Sequence, residues 1–439
     1  MNATVPTPLH TLLCRVVAVR PGETRALLWS FAYFFCLLAG YYVLRPVRDE
    51  MGLASGVKNL PWLFTATFFV MLAVVPIYGA LVARLPRQRF IPLVYHFFVA
   101  NILIFWVLLT QGIGLTLTAQ VFFVWISVFN LFAVSVFWSF MADLYGSEQG
   151  KRLFGFIAAG GSAGALLGPL LAASLAVPIG RAHLLLIAAL LLECAVFCAM
   201  RLETAATAFK AERPATAPPA AALGGSWIAG MVMIARSPYL AGIALWVALL
   251  SLAGTFLYFQ QANIVAALTD DPNQRTAIFA RIDLAVSLLT LVVQFLATGK
   301  LIQRFGAGPA AAFLPLVFAL GFIALWATPM LWVVIAFQAV QRAANFAISN
   351  PAREVLFTVV ERAEKYKAKN VIDNVVFRGS DALCGWLFTA LRGAGMELGA
   401  IALATVPLTA AWLALALALG RMQEKRATAL AVFTEKNRN

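Results

Sequence analysis

Charge is scarce in this chain of 439 residues. Only 12% of the residues are Asp, Glu, Lys or Arg, 62% are apolar, and the mean hydropathy is +0.86. Ordinary globular chains run at roughly 45–50% apolar and about 25% charged. A soluble fold cannot hide so much apolar surface, because the buried fraction rises only slowly with size. Histidine is nearly absent: His10, His96 and His183 are the full set. They show no zinc-type spacing with each other or with the cysteines, and no G-x-S-x-G occurs. No enzyme, metal or cofactor chemistry is indicated. The five cysteines (Cys14, Cys36, Cys194, Cys198, Cys384) sit mostly in apolar runs and read as small hydrophobes, which excludes a disulfide scaffold. Acidic residues are few, leaving a net charge of +14. No contiguous basic block accompanies it, so nucleic acid is not an expected partner. Period-2 alternation over barrel-length segments is missing too.

What is present is a series of long apolar runs. A spanning helix needs about 20 such residues. Twelve spans are predicted, at 26–45, 60–83, 90–110, 117–145, 153–179, 182–201, 238–264, 276–299, 309–328, 330–352, 370–391 and 398–420. The expected fold class is an all-α polytopic membrane protein. An Ala/Pro/Thr-rich polar stretch near 204–225 reads as a flexible linker and divides the spans six and six. The predicted domains are a cytoplasmic segment 1–25, a six-helix bundle 26–203, a linker 204–237, a second bundle 238–421 and a tail 422–439. Residues 1–25 lack the short apolar core of a signal peptide. With both termini inside, twenty-four of the 33 lysines and arginines fall on the cytoplasmic side. The positive-inside rule therefore predicts N-in and C-in.

Six plus six spans about a central cytoplasmic linker is the plan of a major-facilitator-type fold. The loops after the second and eighth spans share G-x-L-x-x-R-[LF], with Gly79, Leu81, Arg84 and Leu85 in one and Gly299, Leu301, Arg304 and Phe305 in the other. Neither carries the Asp usual in that loop. Gly160, Gly164 and Gly168 fall at i, i+4 and i+8 in the fifth span. The favoured reading is close helix packing. A phosphate loop would need a preceding strand and a GK[ST] ending.

Ionisable groups inside spans are costly and mark cavities or partners. The first span ends Tyr41-Tyr42-Val43-Leu44-Arg45-Pro46-Val47-Arg48-Asp49-Glu50. Pro46 is expected to break the helix there, placing Arg45 and Arg48 either at a cavity edge or in an interfacial loop. Glu193 stands alone in the sixth span, as a coupling carboxylate or as a neutral acid packed between helices. His96 in the third reads as a packed residue. Arg281 and Asp283 are too close along the chain to share a face, and Asp283 is a candidate coupling site. Gln338, Arg342, Asn345 and Ser349 form a polar stripe on one helix face. Asn374, Arg378 and Asp381 repeat the theme, Arg378 and Asp381 being placed to pair. Tyr41, Tyr42 and Tyr258 lie near polar groups and are able to stack on a base. Arginine forks bind phosphate or carboxylate bidentately. Arg45, Arg48, Arg281, Arg342 and Arg378 thus suggest an anionic solute, yet Asp49, Glu50, Glu193, Asp283, Asp373 and Asp381 balance them, and a neutral network gives the same tally.

Three segments together carry a family resemblance. They are Leu44-Arg45-Pro46-Val47-Arg48-Asp49-Glu50, then Phe137-Trp138-Ser139-Phe140 through Ser147-Glu148-Gln149-Gly150-Lys151-Arg152-Leu153-Phe154, then Asn350-Pro351-Ala352-Arg353-Glu354 through Lys367-Ala368-Lys369-Asn370-Val371-Ile372-Asp373. In order and location they resemble the ATP/ADP translocase (nucleotide transporter) family, whose motifs read like LRDTKD, FWxF…EAKRxY/F and DPTKE…KxKGKAAID. The resemblance implies a twelve-span, facilitator-like fold that carries nucleotides across membranes. Its functional residues map onto Arg48, Asp49, Lys151, Arg152, Arg353, Glu354, Lys367, Lys369 and Asp373. Pro46 stands for the family's Asp, Arg48 for its Lys and Asn370 for a small residue, as in a divergent bacterial branch.

The sequence thus predicts a secondary transporter of nucleotides or related anionic metabolites in a bacterial inner membrane, acting as a monomer. Arg45, Arg48, Arg342, Asn345, Arg378 and Tyr42 are the expected substrate contacts. Asp49, Glu193, Asp283, Asp381, Lys151, Arg152, Lys369 and Asp373 are the expected coupling or gating groups. Two alternatives stand: a proton-coupled carrier of another, amphipathic solute on the same fold, and a non-transporting membrane receptor or assembly protein.

Overall fold

A computed structural model describes residues 17–20, 22–84, 87–210, 227–296 and 306–436. The side chains of some helix-end residues, Lys151 among them, lie outside it, as do both copies of the G-x-L-x-x-R loop in whole or part. The described residues form helices only: α1 (Thr24–Ala54), α2 (Leu60–Arg84), α3 (Arg87–Thr110), α4 (Leu115–Leu144), α5 (Ser147–Ile179), α6 (Arg181–Lys210), α7 (Trp227–Arg236), α8 (Pro238–Leu268), α9 (Pro272–Leu296), α10 (Ala307–Ala327), α11 (Leu331–Ala344), α12 (Asn350–Leu356), α13 (Arg362–Val371), α14 (Phe377–Gly393) and α15 (Leu398–Lys436). Among the described residues, eleven stretches are long and apolar enough to cross a membrane. The protein is an all-α polytopic membrane protein.

Four expectations need correction. Pro46 does not break the first span, since α1 runs unbroken from Thr24 to Ala54 with Pro46 buried inside it. Neighbouring helices tolerate a proline in this way in membrane bundles. The stretch predicted to span at 370–391 is helical but is not among the eleven apolar spans. It is built from α13, a π-helical turn Ile372–Val376 and α14, and it carries Asp373, Arg378 and Asp381. The polar stripe of the tenth span is not on one continuous α-helix, because a π-turn Asn345–Ser349 separates α11 from α12. Finally, the linker stretch 204–237 contains helix α7 and the end of α6.

The helices fall into two compact units. The first comprises Met1–Ser55, Ala73–Pro218 and Asp271–Leu284, the second Gly56–Leu72, Pro219–Asp270 and Ala285–Asn439. In the first, α1 is the central helix, packed on α4, α5 and α6. The glycine stripe makes this possible. A Cβ on Gly160 would lie 2.5 Å from the Phe31 carbonyl oxygen and one on Gly168 2.6 Å from that of Ala39, while Gly164 meets the Phe35 carbonyl closer still. The α5 backbone thus lies directly on α1, as small residues in membrane helices permit. Aromatic rings fill the rest, with Phe34 stacked on Phe137 at 4.1 Å and the Tyr33 and Tyr95 hydroxyls bonded at 2.6 Å.

In the second unit α8 packs against α14 and α15, and α10 against α15. Trp246 and Trp412 meet edge to face at its centre, both fully buried. Large apolar side chains such as Trp62, Leu117, Leu190, Leu320, Trp332 and Leu383 point outward. Such an outer surface suits hydrocarbon and no aqueous solvent.

Candidate functional site

In the first unit the C-terminal half of α1 gathers the charges. Arg45 Nη1 lies 3.6 Å from Asp283 Oδ1 on α9, with the Asp283 side chain 3% exposed and Arg45 16%. The Arg45 guanidinium also lies 5.7 Å from the centre of the Tyr42 ring, and Tyr42 meets Tyr41 edge to face. Arg48 donates through Nε and Nη2 to Asp49 Oδ1 at 3.0 and 2.6 Å and sits over the Phe123 ring. One residue on, the fully buried Glu50 pairs with Arg181 at the start of α6. The Arg181 backbone N–H donates to Asn273 Oδ1 of α9 at 2.9 Å. Less than two turns of α1, Arg45 to Glu50, therefore carry three buried or half-buried ion pairs. Each neutralises a charge that would otherwise be stranded.

The sequence had named Arg45, Arg48, Asp49 and Asp283, and the structure brings them together. It had counted Glu50 only in the balance of acids and had not singled out Arg181. Their pairing is not readable from spacing, because the partners lie on different helices.

Glu193 lies elsewhere. Its carboxylate is 3.4 Å from His96 Nε2, and the two side chains are 41% and 55% exposed. His96 is therefore not a packed residue. Its Nδ1 bonds the Pro92 carbonyl at 2.7 Å. Arg152, at the N-terminal end of α5, donates to Glu23 at 3.1 Å and to the Ala18 carbonyl. Gln149 donates to the same carboxylate at 2.9 Å, and Arg20 bonds Glu148 at 2.7 Å. Burial pushes the Glu23 carboxyl up, but the Arg20 backbone N–H, Arg152 and Gln149 together hold it below its usual range. Arg152 is thereby a clamp on the chain entering α1. Lys151 cannot be assigned a contact, its side chain being outside the described residues.

In the second unit Asp381 is the hub. Ser251 and Thr255 of α8 donate to its Oδ1 at 2.7 and 3.0 Å, and Arg378 lies 3.5 Å from Oδ2. A chain of buried amides joins α11 to α8: Gln341 donates to Gln338 at 2.8 Å, and Gln338 to Gln261 at 2.5 Å. Arg342 and Asn345 flank this chain, both half-buried, and Asn345 Oδ1 has no hydrogen-bond partner. Tyr258 is buried against Phe64 and Phe259. Towards the α12–α13 connection, Arg353 meets Asp373 at 3.2 Å and Lys369 meets Glu354 at 2.5 Å. Four of the resemblance-derived residues thus bind one another. Ser251, Thr255, Gln261 and Gln341 were missed. The one available signal was the polar pair Gln260-Gln261 inside an otherwise apolar run. Among the described residues, no group of three or more His, Cys, Asp or Glu is placed to hold a metal ion.

No family model matches the sequence, and neither does any curated protein. Solved structures do match. A bacterial homolog to the human lysosomal transporter Spinster, in an inward-facing and unoccupied conformation, aligns over 93% of this chain and 99% of its own, with a TM-score of 0.58 and 16% identity. The fold is of the major-facilitator type. An autoinhibited POT family peptide transporter gives 0.62 over 92% and 97%, at 14% identity. The nucleoside transporter NupG gives 0.59 over 91% and 99%, at 13% identity. At such identities the likeness establishes this facilitator fold and leaves the solute open.

Proposed function

We propose that the protein is a secondary transporter that moves nucleotides of the ATP/ADP type, or related anionic metabolites, across a bacterial inner membrane by alternating access. The observation that carries this reading is the state of the arginines. Arg45 and Arg378 are each paired with an aspartate, at 3.6 and 3.5 Å. Both distances are long for a charge-assisted bond, which closes to about 2.7–2.9 Å. An anionic solute replaces such a carboxylate by supplying the negative charge itself, and the aspartate takes over the role again when the solute leaves. The facilitator fold supplies the setting, one of its members here being a nucleoside transporter. The resemblance of three sequence segments to ATP/ADP translocase motifs supports the solute class.

In this reading Arg45, Arg48, Arg342 and Arg378 contact the anionic groups, Asn345 and Tyr42 the remainder, and Asp49, Asp283 and Asp381 balance the empty state. Both termini face the cytoplasm, and the monomer is the working unit. The test is uptake of labelled ATP into liposomes holding the purified protein, with and without internal ADP. Uptake that requires internal ADP is expected. Absence of uptake under both conditions, from folded protein, refutes the nucleotide assignment.

A second reading has its own observation. Arg45, Arg48, Arg353 and Arg378 are each matched by a carboxylate, and such a neutral tally also fits a proton-coupled carrier of another solute. Dependence on a pH gradient with no response to nucleotides selects it.

A further inference from the structure

His96 and Glu193 stand in the first unit, apart from the charges at the end of α1. Glu193 lies about 18 Å along α6 from Arg181, at about 1.5 Å per residue. His96 faces it from α3. Leu93 and Phe97 of α3 and Leu190, Phe197 and Met200 of α6 are each more than half exposed. They belong to the outer surface that suits hydrocarbon, and the half-exposed pair stands among them at mid-span. A bare carboxylate is costly at that depth.

Few groups are placed to relieve it. α6 packs against α1, α3 and α5, and α3 against α6 and α4. The ionisable side chains of α4 and α5 are Asp143, Glu148, Lys151 and Arg152, all at helix ends. α1 carries its charges in its first turn and from Arg45 onward, and Arg87 and Arg89 open α3. The remaining titratable neighbours are uncharged thiols and a phenol. Cys194 adjoins Glu193 and faces Cys36 of α1, and Tyr95 is turned inward onto Tyr33. Arg201, about two turns further along α6, sits over the Phe197 ring. Among the described residues, His96 is the cationic partner that Glu193 has.

The ring of His96 fixes what lies between them. Its Nδ1 is 2.7 Å from the Pro92 carbonyl oxygen. A carbonyl only accepts, so Nδ1 carries its hydrogen. Turning the ring over puts carbon on both contacts and loses them. In the neutral ring Nε2 is then a bare lone pair, and it lies 3.4 Å from Glu193 Oε2. A lone pair and a carboxylate repel. One proton between Nε2 and Oε2 removes the conflict, whether imidazolium meets carboxylate or imidazole meets carboxylic acid. Both forms have no net charge, which suits a surface turned to hydrocarbon.

We propose that His96 and Glu193 form a binding site for a single proton, which joins α3 to α6. A coupling role for that proton rests on the transport reading, whereas the site itself does not. α6 begins at Arg181, the partner of Glu50 on α1, so one helix carries both the proton site and a contact to the charged end of α1.

The experiment reads the ring nitrogens by NMR of the purified full-length protein, isotope-labelled at histidine, in detergent. The chain has three histidines, so the H96N spectrum identifies the His96 signal. Nδ1 is expected to stay protonated throughout a pH titration, and the titration of the ring to change in E193Q. Thermal unfolding supplies the second readout. H96Q strands the carboxylate and lowers the midpoint. E193Q keeps it, because an amide donates to a neutral Nε2. H96Q/E193Q recovers most of the H96Q loss. A neutral ring protonated at Nε2, identical ring titrations in wild type and E193Q, or an H96Q midpoint equal to that of the wild type each overturn the site. In liposomes, solute uptake driven by a pH gradient and lost in E193Q supports coupling. Uptake by a protein without the ring signature removes the site and leaves the transport reading standing. The ring signature in a protein that takes up no solute does the reverse.

Discussion

Replacing Asp283 by Asn tests whether the Arg45–Asp283 pair holds the end of α1 in place. At 3.6 Å two unit charges attract by about 4–5 kcal/mol if the effective dielectric is ~20, the value suited to partly buried sites. Removing the aspartate leaves the 16%-exposed Arg45 without that attraction while its desolvation remains. Loss of one partner from a buried pair typically costs about 3–5 kcal/mol. Removing both as R45Q/D283N takes away the stranded charge too, and such replacements are often close to neutral. The double variant is therefore expected to be more stable than either single one, with a coupling of about 3 kcal/mol in the double-mutant cycle. The assay is thermal unfolding in detergent. A midpoint moves by about 2–4 °C per kcal/mol in a unit of 150–250 residues, so D283N should fall by roughly 6 °C or more. A double variant as unstable as the sum of the singles refutes the pair, as does a D283N protein with an unchanged midpoint.

Gly164→Val drives a side chain into the Phe35 carbonyl and should cost at least ~1–3 kcal/mol by overpacking. Gly155→Ala, whose Cβ meets nothing within 4 Å, should be tolerated, and yields of folded protein on size exclusion compare the two. Glu23, with its carboxyl held below the ordinary value of 4.5, contributes stability above that value and loses it as pH falls through its own lower one. The midpoint of the wild type should drop below about pH 4.5, and E23Q should flatten that slope. Gln338→Leu orphans the amides of Gln341 and Gln261 and should cost about 1–3 kcal/mol, read in the same unfolding assay. Arg342→Gln should abolish ATP uptake while leaving the protein folded, and normal uptake removes Arg342 from the site.

The apolar runs were legible because the bilayer admits only one kind of segment. The Gly160, Gly164 and Gly168 spacing likewise announced a close helix contact, although nothing in it named Phe31, Phe35 and Ala39 as the other side. Pro46 misled because the local rule against proline in helices was overridden by surrounding helices. The predicted eleventh span, 370–391, differs in another way: it is helical, but the charges of Asp373, Arg378 and Asp381 give it a composition unlike the eleven apolar stretches.

Pairing is the part that a single sequence conceals. Arg378 and Asp381 were expected to meet because three residues bring side chains onto one helix face, and they do, at 3.5 Å. Arg45 and Asp283, Glu50 and Arg181, and Ser251 and Asp381 obey no such period. Their contacts are set by how α1, α6, α8, α9 and α14 pack, and packing depends on apolar surfaces that carry no address. The same reasoning explains why the count of arginines against acids was ambiguous in the sequence. A carboxylate that locks a guanidinium permanently and one that yields it to a solute have the same composition. They differ in the surroundings that packing gives them. Glu50 is fully buried beside Arg181. Asp381 takes two hydroxyls on one oxygen and has Arg378 at 3.5 Å from the other, an arrangement set by the packing of α8 on α14 and by no count of charges.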